Sequence, residues 1–185
     1  MDLREPSGLG RVAGGRSGLA VDLLEVKSRI AVALVESIFR RAGFRLAPVS
    51  PREARPRGRD QVAPHFAAVR AVPAAGAPDG PGRPVEVRYR PQVGQYLAIE
   101  NQRGAQSVFA HAKRAWSELV FVFVTDHPEA DRSWFQVLDL GRWTPGAPAA
   151  AVDLHTHPGL DIFRHNVEEH ELLARRIFAL LSGSS

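Results

Sequence analysis

The run Pro84-Val-Glu-Val-Arg-Tyr-Arg-Pro91 sets an acid, Glu86, two residues before a base, Arg88. In a β-strand alternate side chains leave opposite faces, so Glu86, Arg88 and Arg90 would share one. Such a pair is either a solvated surface contact or working chemistry, in which the carboxylate holds a divalent cation and the base neutralises phosphate. A second stretch, Val152-Asp-Leu-His-Thr-His-Pro158, carries two imidazoles two residues apart. As a strand over 152–157 it would put Asp153, His155 and His157 on one face, a credible Zn²⁺ donor set. The chain has no cysteine. Disulfides and thiolate sites are therefore excluded, and any metal must be held through oxygen and nitrogen.

The elements that would carry these groups follow from hydrophobic period and turn chemistry. With 185 residues, 44% of them hydrophobic and 24% charged, the chain can bury one core. Leu23, Val26, Ile30, Ala33, Leu34, Ile38 and Phe39 recur at helical steps between Leu19 and Ala42, and Gly43 ends that helix. Residues 44–50 read as a first strand and 51–59 as a Pro/Arg-rich loop. A second strand follows Asp60, with Pro64 at one end; 73–84 is a loop and 85–90 a third strand. A helix is expected within 103–118. The apolar run 119–126 has no polar alternation, which predicts a central strand buried on both faces. A fifth strand spans 134–140, a connector 144–151, and a final helix 167–181 with Asn166 and Glu169 as its capping pair.

The order α-β-β-β-α-β-β-α, with a helix between the third and fourth strands, demands a crossover. The expected fold is three-layer α/β, with a central mixed sheet of about five strands flanked by helices. Residues 1–18 are expected as a disordered tail, 19–143 as the core, and 144–185 as a connector with a helix packed on it. The net charge is +4, and 22 of the 24 cations are arginine, leaving Lys27 and Lys113 as the lysines. This mild basicity suits a nucleic-acid partner. No run approaches the ~20 apolar residues of a membrane span, so a soluble cytoplasmic chain is expected.

The words "LVESIFRRAGFRL", "GRD", "VEVRYR" and "ELVFVFVTD", in that order over roughly residues 25–140, resemble the PD-(D/E)XK, or restriction-endonuclease-like, nuclease superfamily. There a long helix ending in Gly-Phe leads to a strand and a metal-binding aspartate, then an acid-x-Lys strand, a crossover helix and a central apolar strand. The resemblance implies a divalent-metal-dependent DNA nuclease, or a catalytically decayed relative that still binds nucleic acid, with a homodimer allowed. Asp60 and Glu86 would hold Mg²⁺ or Mn²⁺, and Glu36 on the first helix would be an auxiliary acid. Gln102 and Gln106 would touch water or phosphate, and Arg40, Arg41, Arg45 and Arg90 would contact the backbone of the nucleic acid. The family's lysine is here Arg88, which keeps the charge and can clamp phosphate but cannot act as a base. Catalysis would then use Arg88 electrostatically, draw on Lys113 from the crossover helix, or be lost.

"HTHP" is similar to the His-x-His-Pro word of the JAMM/MPN metalloproteases. Where that family places a serine and an aspartate, this chain has His165 and Glu168. The rival expectation is therefore a zinc hydrolase or structural zinc site on Asp153, His155 and His157, with His165 or Glu168 completing the ligands.

Overall fold

The computed structural model describes residues 17–49, 62–70 and 82–183, with side chains from residue 23 onward. Among these residues the chain runs α1 (Ser17–Arg41), β1 (Phe44–Ala47), β2 (Phe66–Arg70), β3 (Arg83–Tyr89), α2 (Val93–Arg103), α3 (Val108–Ala115), β4 (Val120–Val124), β5 (Phe135–Asp139), β6 (Val152–Asp153) and α4 (Arg164–Gly183). Short 3-10 turns occupy Gly104–Gln106 and Leu154–Thr156. The strands lie side by side in sequence order as one open sheet. All neighbouring pairs are antiparallel except β3 and β4, which run parallel. Two parallel neighbours need a crossover, and α2 with α3 supplies it.

The strand β4 explains the layering. Its sequence Val-Phe-Val-Phe-Val alternates two residue types that both favour strands. Val120, Val122 and Val124 enter one core with Ile38, Phe39, Val85, Val87 and Phe178, under α1 and α4. Phe121 and Phe123 enter a second core with Leu97, Phe109 and Leu138, under α2 and α3. All five residues are fully buried, as a strand covered on both faces requires. Helix α1 turns Ala31, Leu34, Val35, Ile38 and Phe39 inward and stops as the Gly43 backbone reaches φ +83°, the left-handed end that glycine accepts freely. Among the described residues no helix is long and apolar enough to cross a membrane.

Several boundaries differ from the sequence reading. The sheet has six strands rather than five, because Val152–Asp153 pairs with β5. The expected single helix over 103–118 is two helices, and α2 begins ten residues earlier, at Val93. Its apolar pattern is sparse, so tertiary contacts hold it instead: Glu100, buried at its far end, accepts the Val108 N–H at 2.7 Å and so joins α2 to α3. Ser107 caps α3 by accepting from the Ala110 N–H. Helix α4 starts at Arg164, so Asn166 lies inside it, buried, and Glu169 pairs with Arg41 rather than capping. Helix α1 likewise starts at Ser17, within the stretch expected as tail.

A buried polar contact joins helices α1 and α4, beside the Arg41–Glu169 and Lys27–Ser182 contacts. The buried His170 ring lies 2.9 Å from Ser37 Oγ through Nε2 and 2.9 Å from the Asn166 carbonyl through Nδ1. Burial pulls the His170 imidazole below the ordinary histidine range, outweighing the carbonyl contact that raises it. The unfolded chain then binds more protons than the folded one as pH falls from about 6.5, so stability is present above that value and is lost toward the folded value. Thermal midpoints measured from pH 7.5 to 5 should fall more steeply in the natural chain than in His170→Gln. Parallel curves would show that His170 does not titrate on folding.

Candidate functional site on the Glu86 edge of the sheet

Alternation along β3 decides which groups meet. Val85, Val87 and Tyr89 point into the core under α1 and α4, leaving Glu86, Arg88 and Arg90 for the opposite face. On β4 their neighbours in register are Phe121 for Glu86 and Phe123 for Arg88. On the other side, Phe66 pairs with Val85, so His65, immediately before β2, sits across from Glu86. Its N–H donates to the Val85 carbonyl at 2.8 Å, continuing the ladder past Pro64, which can donate nothing.

The result is a compact polar group. Arg88 Nε donates to Glu86 Oε1 at 3.2 Å, and Arg88 Nη1 donates to the Tyr96 hydroxyl at 3.2 Å. The same guanidinium lies 5.3 Å from the Phe121 ring centre, and that of Arg90 lies 4.5 Å from the Tyr96 ring centre. Tyr96 therefore holds both arginines, one through its oxygen and one through its face. Glu86 Oε2 has His65 Nδ1 at 3.4 Å and no hydrogen-bond partner. The Glu86 side chain is 8% exposed, Arg88 15% and His65 35%, so the group opens toward His65.

The other expected residues lie elsewhere. Glu36 belongs to α1, which packs on the opposite face of the sheet, and its carboxylate pairs with Arg40 at 2.9 Å. Arg41 pairs with Glu169. Lys113 donates to the carbonyls of Ser117 at 3.1 Å and Leu140 at 2.5 Å, so its ammonium fastens the end of α3 to the end of β5. Gln102 and Gln106 are exposed at the end of α2 and in the turn after it, and Arg45 is exposed on β1. Asp60 lies outside the described residues. Of the expected site, the described structure brings together Glu86, Arg88 and Arg90, and adds two residues that the sequence reading missed, His65 and Tyr96.

The histidine stretch is arranged differently from the expected strand. Regular pairing ends at Asp153 and a 3-10 turn follows, so the two-residue alternation breaks before His155. Asp153 turns to Arg132 Nε at 2.9 Å and the Ser133 N–H at 3.2 Å. His157, buried, instead meets Asp139, with Nε2 3.2 Å from Oδ2 at an angle that leaves both atoms without a hydrogen bond. Arg83 Nη2 donates to the other oxygen of Asp139 at 2.7 Å. Burial alone would raise the Asp139 carboxyl; the contacts with His157 and Arg83 prevail and hold it well below the usual carboxylate range. His165 is exposed and stacks on Phe163, while Glu168 pairs with Arg164. Among the described residues no three His, Asp or Glu side chains converge as a metal site.

No family model, curated protein or solved structure matches the chain.

Proposed function

We propose that this chain is a restriction-endonuclease-like nuclease that hydrolyses DNA phosphodiesters at the Glu86–Arg88 edge of its sheet with the help of Mg²⁺ or Mn²⁺. The observation that carries the reading is Glu86: a carboxylate buried on the central part of the sheet, one oxygen held by Arg88, the other without a hydrogen bond, with His65 Nδ1 at 3.4 Å. A buried carboxylate oxygen without a hydrogen bond is costly, and a cation, like a water, satisfies it. The residues thus fit a divalent ion, with Glu86 as the ligand in the described part and Asp60 as the second carboxylate that the family resemblance implies. The connectivity agrees, since β3 leads through α2 and α3 to a parallel β4, the order that the resemblance calls for.

A bound divalent ion supplies a Lewis acid for the phosphoryl oxygen and a water of lowered pKa. The chain's own groups do the rest. Arg88, permanently charged and fixed by Glu86 and Tyr96, faces the phosphate as an oriented donor. Arg90, stacked on Tyr96, extends positive charge along the same edge. Neither can accept a proton from the attacking water, so that proton passes to solvent or to another base.

The test is binding and cleavage of a labelled duplex by the full chain. Affinity should fall linearly on a log–log plot against salt, and Arg90→Ala should reduce that slope by about 1. Glu86→Gln should abolish cleavage in Mg²⁺ or Mn²⁺ while leaving binding in place. Absent or salt-insensitive DNA binding would remove the proposal.

A further inference from the structure

We infer that two copies of this chain associate through the outer face of α4, the two helices running antiparallel across a two-fold axis between Leu172 and Leu173; the inference stands apart from the nuclease reading. Helix α4 commits one face to the fold, where Val167, Ala174 and Phe178 enter the core under the sheet. Among the described residues, half of the large hydrophobic side chains left exposed fall between Phe163 and Leu180. Leu172 is 57% exposed, Leu173 47% and Leu180 73%. Scattered single leucines are ordinary at a surface, but a stripe of them along one helix marks a docking face.

The pattern of that stripe selects its occupant. His165, Glu169, Leu172, Leu173, Arg176 and Leu180, all exposed, fall within about 100° of arc around the helix. They are placed symmetrically about the Leu172–Leu173 bond: Glu169 and Arg176 stand three residues outside it on either side, His165 and Leu180 seven. Across an antiparallel two-fold, Leu172 therefore meets the partner's Leu173, and Glu169 meets the partner's Arg176. His165, stacked on Phe163, meets the partner's Leu180. A parallel pair would instead set Glu169 against the partner's Glu169 and Arg176 against the partner's Arg176, so charge fixes the direction. The Glu169 side chain is 66% exposed beside Arg41, and Arg176 has no ion-pair partner among the described residues, so both can reach a second chain. The stripe is small beside the roughly 20–30 residues a side of a stable complex, which makes the dimer reversible.

Light scattering on the full chain as it leaves a gel-filtration column should give the mass of two chains at high loading, falling toward one on dilution. Leu172→Glu/Leu173→Glu should weaken self-association by about tenfold or more. Both positions are exposed, so that variant should keep the natural circular-dichroism spectrum. Glu169→Arg and Arg176→Glu should each be monomeric alone, because each sets like charges across the axis twice. An equimolar mixture of the two should dimerise, since both contacts of the mixed pair then join opposite charges. A natural chain that stays monomeric at millimolar concentration overturns the inference. So does a dimer indifferent to the leucine substitutions, or a mixture that associates no more tightly than its components.

Discussion

Lys27→Met should cost about 3–5 kcal/mol of folding stability, the largest single-residue loss expected outside the apolar cores. Lys27 Nζ lies 2.7 Å from Asp126 Oδ2 and 3.3 Å from both the Tyr89 hydroxyl and Ser182 Oγ. It thereby joins α1, the end of β3, the residues after β4 and the end of α4. The side chains of Lys27 and Asp126 are 10% and 7% exposed, so solvent screens the pair little. Methionine fills similar space but loses the ammonium, which lies 5.4 Å from the Tyr89 ring centre and 5.7 Å from that of Phe178, and it strands the Asp126 charge. Lys27→Met/Asp126→Asn removes both charges and should recover most of the loss, which urea midpoints at constant slope would measure. A loss below about 1 kcal/mol for the single variant would mean that water already reaches the pair.

The same pair predicts a pH dependence with a definite sign. Burial would raise the Asp126 carboxyl, but Lys27, His127 and Tyr89 together hold it below the usual carboxylate range. Its stabilisation is therefore present above the unfolded value and is lost as pH falls through the lowered folded value. Without Lys27, burial is opposed less and the stranded carboxylate is relieved by taking a proton. The gap between the natural chain and Lys27→Met should shrink as pH falls through the carboxylate range.

Lys27 also shows where sequence stops being informative. Its rarity among 22 arginines was visible, whereas a partner 99 positions away was not. The elements that were legible are those whose local pattern agrees with their burial: the Val/Phe alternation of β4, the long apolar face of α1 and its glycine stop. Helix α2 was missed because it turns Val93 and Leu97 inward but relies on a buried glutamate, Glu100, for its remaining anchor. The site divides in the same way. Glu86 and Arg88 sit two apart on one strand, so alternation alone puts them together. His65 reaches Glu86 only through the β2–β3 register, which the long intervening loop leaves open. Glu36 and Lys113 could be placed on helices by pattern, but which sheet face each helix covers is a property of the crossover.

On the proposed nuclease reading, Arg88→Lys should raise DNA cleavage by about tenfold or more in Mn²⁺ while changing DNA affinity by less than about threefold. In the natural chain Arg88 divides its fork between Glu86 and Tyr96 and always carries its proton. Lysine replaces the planar fork by a single ammonium on a flexible stem, so the phosphate then meets a less rigid charge. Against that loss, a lysine enclosed beside a bound cation can give up its proton and take one from the attacking water, as the lysine of PD-(D/E)XK nucleases is placed to do. Because net charge is preserved, the salt slope of binding should stay the same. Arg88→Met separates charge from proton transfer: it should lose cleavage, weaken binding and lower stability, since it leaves Glu86 buried without its ion-pair partner. If Arg88→Lys cuts DNA as poorly as Arg88→Met, the guanidinium fork rather than the charge is what the site uses.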